Sequence, residues 1–279
     1  MAIFDRFKQG ITLLVDSIRL MRNNPRLMLF PVVGAVAGLV FLGIFLSITF
    51  GAMAIQPEGG VLLGLLFVYL GMTFISTFFT AALVHQTREV IGGGEVSVSA
   101  GLSGAWSVKG KLLIWSAIAA TVGVIINGIQ SNNSGAGRVI GIAFGIAWTL
   151  MTFLIVPVIV FEKTNTVGMF KRSASAFKDT WGETPIGLGG VQLVSFLIAI
   201  PFLVIGILVY QITAVLGIGL IVLGFALAFL IAQTLEGVIK TVLYLYATDG
   251  KTPSEFDNVD FDRLPSEKNT STMSTAPTG

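Results

Sequence analysis

Hydrophobic residues in this chain fall into long unbroken runs, and short blocks between the runs hold nearly all the charge. A bilayer-spanning helix needs about 20 mostly apolar residues, at about 1.5 Å of rise per residue. Leu27 to Gln56 carries no charge, and neither does Gly59 to Val84. These runs predict spans one and two, joined by a loop around Pro57, Glu58 and Gly59. Leu112 to Ile129 predicts span three, a polar loop from Gln130 to Gly135 follows, and Val139 to Phe161 predicts span four. The longest charge-free run, Thr184 to Leu235, has 52 residues. That is about twice what one span needs. It reads as two spans with a turn near Tyr210-Gln211-Ile212-Thr213, and a re-entrant segment is the alternative. The expected fold is all-α: a polytopic membrane bundle of six transmembrane helices, near 27–54, 60–84, 112–130, 139–161, 185–210 and 214–240.

Each pair of spans is preceded by a stretch with apolar residues at helical spacing. In residues 1–26 the stripe is Phe4, Phe7, Ile11, Leu14, Val15, Ile18 and Met21, with Asp5, Arg6, Lys8, Gln9, Asp16, Arg19 and Arg22 opposite. Asn23-Asn24-Pro25 ends this helix. The second stripe, after Gly92-Gly93-Gly94, is Val98, Leu102, Ala105 and Trp106. The triple glycine reads as a hinge. The third stripe is Val167, Phe170, Ala174, Phe177 and Trp181, with Lys171, Arg172, Lys178 and Asp179 facing away. Such segments predict three amphipathic interfacial helices. The layout of elbow, span, span thus occurs three times. Residues 251–279 turn polar, and from Asp249 onward hold six acidic and three basic residues. This composition predicts a disordered polar tail, in which Phe256 and Phe261 are the residues suited to packing back on the membrane domain.

Charge sets the orientation. With six spans, 16 of the 17 Lys and Arg fall on one side, and only Arg138 falls on the other. The positive-inside rule places that side in the cytoplasm. The expectation is a multi-pass protein of the plasma membrane with both termini cytoplasmic. The first run is too long for the core of a cleaved signal peptide, so span one is expected to stay attached. The sequon Asn132-Asn133-Ser134 then lies on an outer loop.

Composition agrees. Of the 279 residues, 54% are hydrophobic and 11% charged. A soluble domain carries roughly 25% charged residues. The mean hydropathy is +0.87. There is no cysteine and one histidine, His85. Thiolate sites and paired-His metal sites are therefore excluded. The net charge of +2 gives no argument for nucleic acid.

Motifs for catalysis are missing. No Gly-rich loop ends in Gly-Lys-Ser or Gly-Lys-Thr, and no Gly-x-Ser-x-Gly occurs. His85, beside Gln86 and Arg88, reads as a headgroup-level polar residue. No catalytic, cofactor-binding or metal-binding residues are assigned, and no enzyme activity is expected. Ionisable residues within spans are functional candidates by default. Glu236 and Lys240 fill that role here, spaced for an i,i+4 ion pair. Asn127, Gln192, Gln211 and Gln233 are the other polar groups in spans or at their ends. Gly34, Gly38 and Gly43, with the Gly141-to-Gly145 GxxxG, are spaced for close helix contact, within the bundle or with a second copy. Pro31, Pro157 and Pro201 are expected to kink their spans.

Three strings carry a family resemblance: Asn24-Pro25-Arg26-Leu27-Met28-Leu29-Phe30-Pro31, Phe170-Lys171-Arg172-Ser173 with Thr180-Trp181-Gly182-Glu183, and Leu243-Tyr244-Leu245-Tyr246-Ala247-Thr248-Asp249-Gly250. Together they resemble an uncharacterised integral membrane family, domain of unknown function 6159, over about residues 4 to 262. The acidic tail resembles that of archaeal members. The layout is also similar to the membrane domain of some glycerophosphodiester phosphodiesterases, whose catalytic domain has no counterpart here. The resemblance implies a fold and no reaction. Two functions follow as expectations. The first is a non-catalytic membrane scaffold, lipid-associated protein or partner subunit. The second is a small-solute transporter or channel. The expected partner is the lipid bilayer, with a membrane-protein partner or a second copy as further options.

Overall fold

The computed structural model describes residues 2–53, 61–131, 135–181, 186–249 and 256. The loop at Pro57 to Gly59, the sequon at Asn132 to Ser134, and the tail from Lys251 apart from Phe256 lie outside these. So do the side chains of Phe4, Phe7, Asp179 and Trp181. Among the described residues there are helices and no strand. They are α1 (Ala2–Asn23), a 3-10 turn (Pro25–Met28), α2 (Leu29–Met53), α3 (Val61–Ile91), α4 (Val98–Ser107) and α5 (Lys109–Gln130). After these come α6 (Gly135–Thr152), α7 (Ile155–Phe161), α8 (Thr166–Trp181), α9 (Ile186–Tyr210) and α10 (Ala214–Asp249). Six segments are long and apolar enough to cross a membrane: α2, α3, α5, α6 with α7, α9 and α10.

Local sequence explains the boundaries. Asn24 leaves the helical region, and Pro25 opens the 3-10 turn. The fixed φ of proline suits a first helical position and forbids continuation of the preceding helix. Helix α3 passes Val84 and stops at Ile91. There the N–H of Gly93 donates to Val90 O and that of Gly94 to Glu89 O, at 2.9 and 2.8 Å. Gly93 has φ +82°, so this is a Schellman stop that needs glycine. The triple glycine terminates a helix rather than forming a free hinge. The long run 184–235 divides at Gln211-Ile212-Thr213, between α9 and α10.

Span four is broken. Pro157 has no N–H for the carbonyl of Phe153, and its ring crowds that carbonyl. The chain turns at Phe153-Leu154, and α6 and α7 lie on either side. Pro201 sits inside α9 without interrupting it.

Hairpins are the units of packing: α2 with α3, α5 with α6, α9 with α10. Glycines set the approach. In α9–α10, a side chain at Gly217 would meet Gly206 O and the Tyr210 backbone, and one at Gly224 would meet Phe202. Gly141 meets Gln130 and Ile129 of α5, and Gly145 meets Ile126. The GxxxG is therefore used inside its own hairpin. The buried core gathers at one end of the bundle, with Leu27, Phe30, Leu83, Leu112, Leu154, Ile159, Leu235 and Leu243. Toward the other end, Leu39, Ile44, Val139, Ile140, Leu208 and Val215 point outward. The hairpins converge at one end and face outward at the other.

The three elbows pack onto the spans. Helix α1 lies on α9 and α10, α4 on α3, and α8 on α6, α7 and α10. Their buried faces overlap the expected stripes in part: Leu14, Met21, Ala105 and Phe177 are buried. Helix α1 buries Leu14 and Met21 of the stripe together with Leu13, Asp16, Ser17 and Leu20, and exposes Ile11 and Val15. Helix α4 buries Gly101 and Ala105 and exposes Trp106. Helix α8 buries Met169, Ser173, Ala176 and Phe177 and exposes Val167. Close helix contact within a membrane favours small residues. Small residues (Ser17, Gly101, Ala105, Ser173 and Ala176) share these interfaces with Leu13, Leu14, Leu20, Met21, Met169 and Phe177.

Candidate functional site

Helix α10 carries a polar row at four-residue spacing, Glu236, Lys240, Tyr244 and Thr248, which places all four on one face. The row begins with the expected pair. Lys240 Nζ lies 2.6 Å from Glu236 Oε1 and 5.1 Å from the centre of the Phe153 ring. The Lys240 side chain is 16% exposed and that of Glu236 41%. The ammonium is thus held between a carboxylate and an aromatic face.

One turn on, Tyr244 stacks on Phe161 at 5.4 Å and donates its hydroxyl to Glu162 Oε1 at 2.9 Å. Arg172 Nε of α8 donates to the same oxygen at 2.7 Å. Arg172 Nη2 also reaches Thr248 Oγ1 at 3.5 Å. Lys111 Nζ donates to the backbone carbonyl of Glu162 at 2.9 Å. Arg88, at the end of α3, lies over the Phe161 ring at 4.7 Å. Glu162 is therefore a hub joining α5, α7, α8 and α10. It borders a cavity of about 360 Å³ that Arg88, Arg172, Tyr244 and Thr248 also line.

Sequence reasoning missed this hub. The signal was present. Glu162 is the one acidic residue between Glu95 and Asp179, and it closes a 23-residue charge-free run, Val139 to Phe161. The row on α10 was equally visible as a spacing.

Two more cavities lie among the spans. The first, of about 300 Å³, runs between α2, α3 and α10. Gly34, Gly38, Met72, Phe79 and Phe229 line it, with Gln233, Ser76 and Thr80 as its polar groups. The second, of about 780 Å³, lies between α3, α5 and α6, where Tyr69, Asn127, Gln130 and Thr149 supply polar groups. Gln130 Nε2 donates to Gly141 O at 3.2 Å. Gln192 and Gln211 are exposed, outside all three cavities. His85 sits against Gly104 of α4. Its neighbour Gln86 is buried and accepts the Ser97 N–H at 2.7 Å. These groups fasten α4 to α3. Among the described residues no group of three or more His, Asp or Glu is placed to hold a metal ion.

The sequence profile of a family of unknown function, DUF6159, matches residues 59–254. The chain belongs to that family. The matched stretch holds α3 to α10 and leaves out α1, α2 and the Asn24-to-Pro31 string. No curated protein and no solved structure matches the chain.

Proposed function

We propose that this DUF6159 protein is a non-catalytic, lipid-associated component of the plasma membrane. Both termini lie in the cytoplasm, and an acyl chain is held between its hairpins. The observation that carries this reading is the cavity between α2, α3 and α10. It lies within the spans, and its lining is mostly apolar. Gly34 and Gly38 keep one wall open against Phe79 and Met72. An apolar slot at bilayer depth suits a hydrocarbon chain, because apolar surface and close packing are what such a slot offers. The orientation rests on charge. Arg88, Lys111 and Arg172 all reach one end of the bundle, and basic residues collect on the cytoplasmic side.

The test is lipid retained by the protein purified in a mild detergent, read by native mass spectrometry. Wild type should carry bound phospholipid, and Gly38→Leu, which fills the slot, should lose most of it. Equal lipid in both would sink the reading.

The second cavity favours a small-solute transporter as the alternative. Its polar lining by Tyr69, Asn127, Gln130 and Thr149 is the feature that reading needs. Solute flux through liposomes holding the purified protein alone would move the assignment there.

A further inference from the structure

We infer that the cavity at the inner end of the α10 row binds a phosphate group, carried by an anionic phospholipid headgroup or by free phosphate. The site joins four elements: Arg88 from α3, Glu162 after α7, Arg172 from α8, and Tyr244 and Thr248 from α10. Among the described residues that line the cavity, Arg88 and Arg172 stand against the single carboxylate of Glu162. Glu162 brings one negative charge, and that carboxylate already accepts from Arg172 Nε and from the Tyr244 hydroxyl. Lys111 contributes a further positive charge at the Glu162 carbonyl. Arg88 pairs with no carboxylate among the described residues. Its guanidinium carbon lies 4.7 Å from the centre of the Phe161 ring, and the guanidinium lines the cavity.

A planar guanidinium matches phosphate oxygens two at a time. The contact with Phe161 restrains the Arg88 side chain, which lowers the entropy lost when the ligand arrives. The Thr248 hydroxyl, which itself donates to the Tyr244 carbonyl at 2.9 Å, offers further polar lining. Phe161 and Leu245 form the apolar side of the cavity, so the mouth accepts a group that is charged at one end only. A phosphodiester with acyl chains is such a group. The inference rests on the lipid reading only in its choice of carrier; the site itself stands on Arg88 and the Glu162 hub.

The experiment uses the full chain in an uncharged detergent with three probes: phosphatidylglycerol, phosphatidylcholine and inorganic phosphate. Native mass spectrometry reads bound lipid, and thermal unfolding reads all three. Wild type should retain phosphatidylglycerol over phosphatidylcholine by about tenfold, which corresponds to ~1.4 kcal/mol. Arg88→Gln should erase that preference, and Arg88→Lys should restore part of it. Lys109→Gln should leave it intact, because Lys109 sits over Trp106 at 4.0 Å, away from the cavity. Stabilisation by inorganic phosphate alone, absent in Arg88→Gln, would support the site and assign it to the free ion. An unchanged preference in Arg88→Gln would overturn the inference. So would an equal loss in Arg88→Gln and Lys109→Gln, which would mean diffuse surface charge. Gly38→Leu separates the two proposals. If it keeps the headgroup preference while total lipid is unchanged, the slot fails and the phosphate site stands.

Discussion

The backbone N–H of Leu154 donates to the hydroxyl of Ser173 at 3.2 Å, across the interface between a broken span and an elbow helix. At the break ahead of Pro157 the Leu150 carbonyl accepts from the Phe153 N–H at 3.4 Å. The turn there is disrupted, and Ser173, fully buried on α8, supplies the acceptor that the helix no longer gives. A buried N–H without a partner costs about 1–3 kcal/mol. Ser173→Ala should therefore lower the thermal midpoint of the purified protein, by several degrees at the upper end of that range. In a Pro157→Ala background the helix can close its own bond, and the cost of Ser173→Ala should shrink. A double-mutant cycle measures this coupling. Additive losses would remove the proposed link.

Lys240 and Glu236 invite a paired comparison. The Lys240 ammonium lies 5.1 Å from the centre of the Phe153 ring, and a Lys240→Met side chain of similar length puts an apolar end there. Removing the acid instead leaves the more buried ammonium without its carboxylate. Breaking a partly buried pair from one side costs more than replacing a charge by an apolar side chain of similar size. Glu236→Gln should destabilise by about 1–2 kcal/mol, and Lys240→Met by less. Thermal unfolding of both variants checks the order, and the reverse order would refute it.

Spans were legible because hydrocarbon thickness imposes a length, and the runs of Leu, Ile, Val and Phe report it directly. The division at Gln211 to Thr213 was legible for the same reason, since 52 uncharged residues exceed one crossing. The faces of the elbows were legible only in part. Periodicity picks out apolar residues, whereas α1 and α8 bury Ser17 and Ser173 and leave Val15 and Val167 outside. Small polar residues fit a close helix interface as well as apolar ones do, so each buried face is the stripe rotated to take in Ser17 or Ser173 beside Leu14, Met21 and Phe177. Of the candidate site, the ion pair of Glu236 and Lys240 was legible in their spacing. Glu162, Arg172 and Tyr244 were not, because they are far apart in sequence and only the fold joins them.

Gly101 and Gly110 should respond in opposite directions. A methyl group on Gly101 would lie 2.7 Å from Phe30 and 2.8 Å from Gln86, which is inside contact distance. Gly101→Ala must displace the Phe30 ring of α2 or the Gln86 side chain of α3, and overpacking of this kind costs about 1–3 kcal/mol. Gly110, in the first turn of α5, has nothing within 4 Å. Gly110→Ala should stabilise by about 0.4–1 kcal/mol, through loss of unfolded-state freedom. Thermal midpoints of the two variants, measured in one detergent, decide this. A fall for Gly110→Ala would contradict it.

Phe256 belongs to the core although it lies beyond the last span. Its side chain is 0% exposed and it joins the same buried cluster as Leu13, Leu112, Leu154 and Leu243. Phe256 itself is thereby fixed to the bundle. Removing a fully buried phenyl ring costs about 3–5 kcal/mol, because both the transfer energy and a cavity are lost. Phe256→Ala should thus lower the thermal midpoint more than any variant above, and ending the chain at Gly250 should lower it about equally. Phe256→Leu, which conserves much of the volume, should cost under about 1.5 kcal/mol. Limited proteolysis supplies a second reading. If Phe256 anchors the tail, Phe256→Ala should expose the segment after Gly250 to cleavage sooner than in wild type. Equal cleavage rates together with an unchanged midpoint would show that the ring contributes no anchorage.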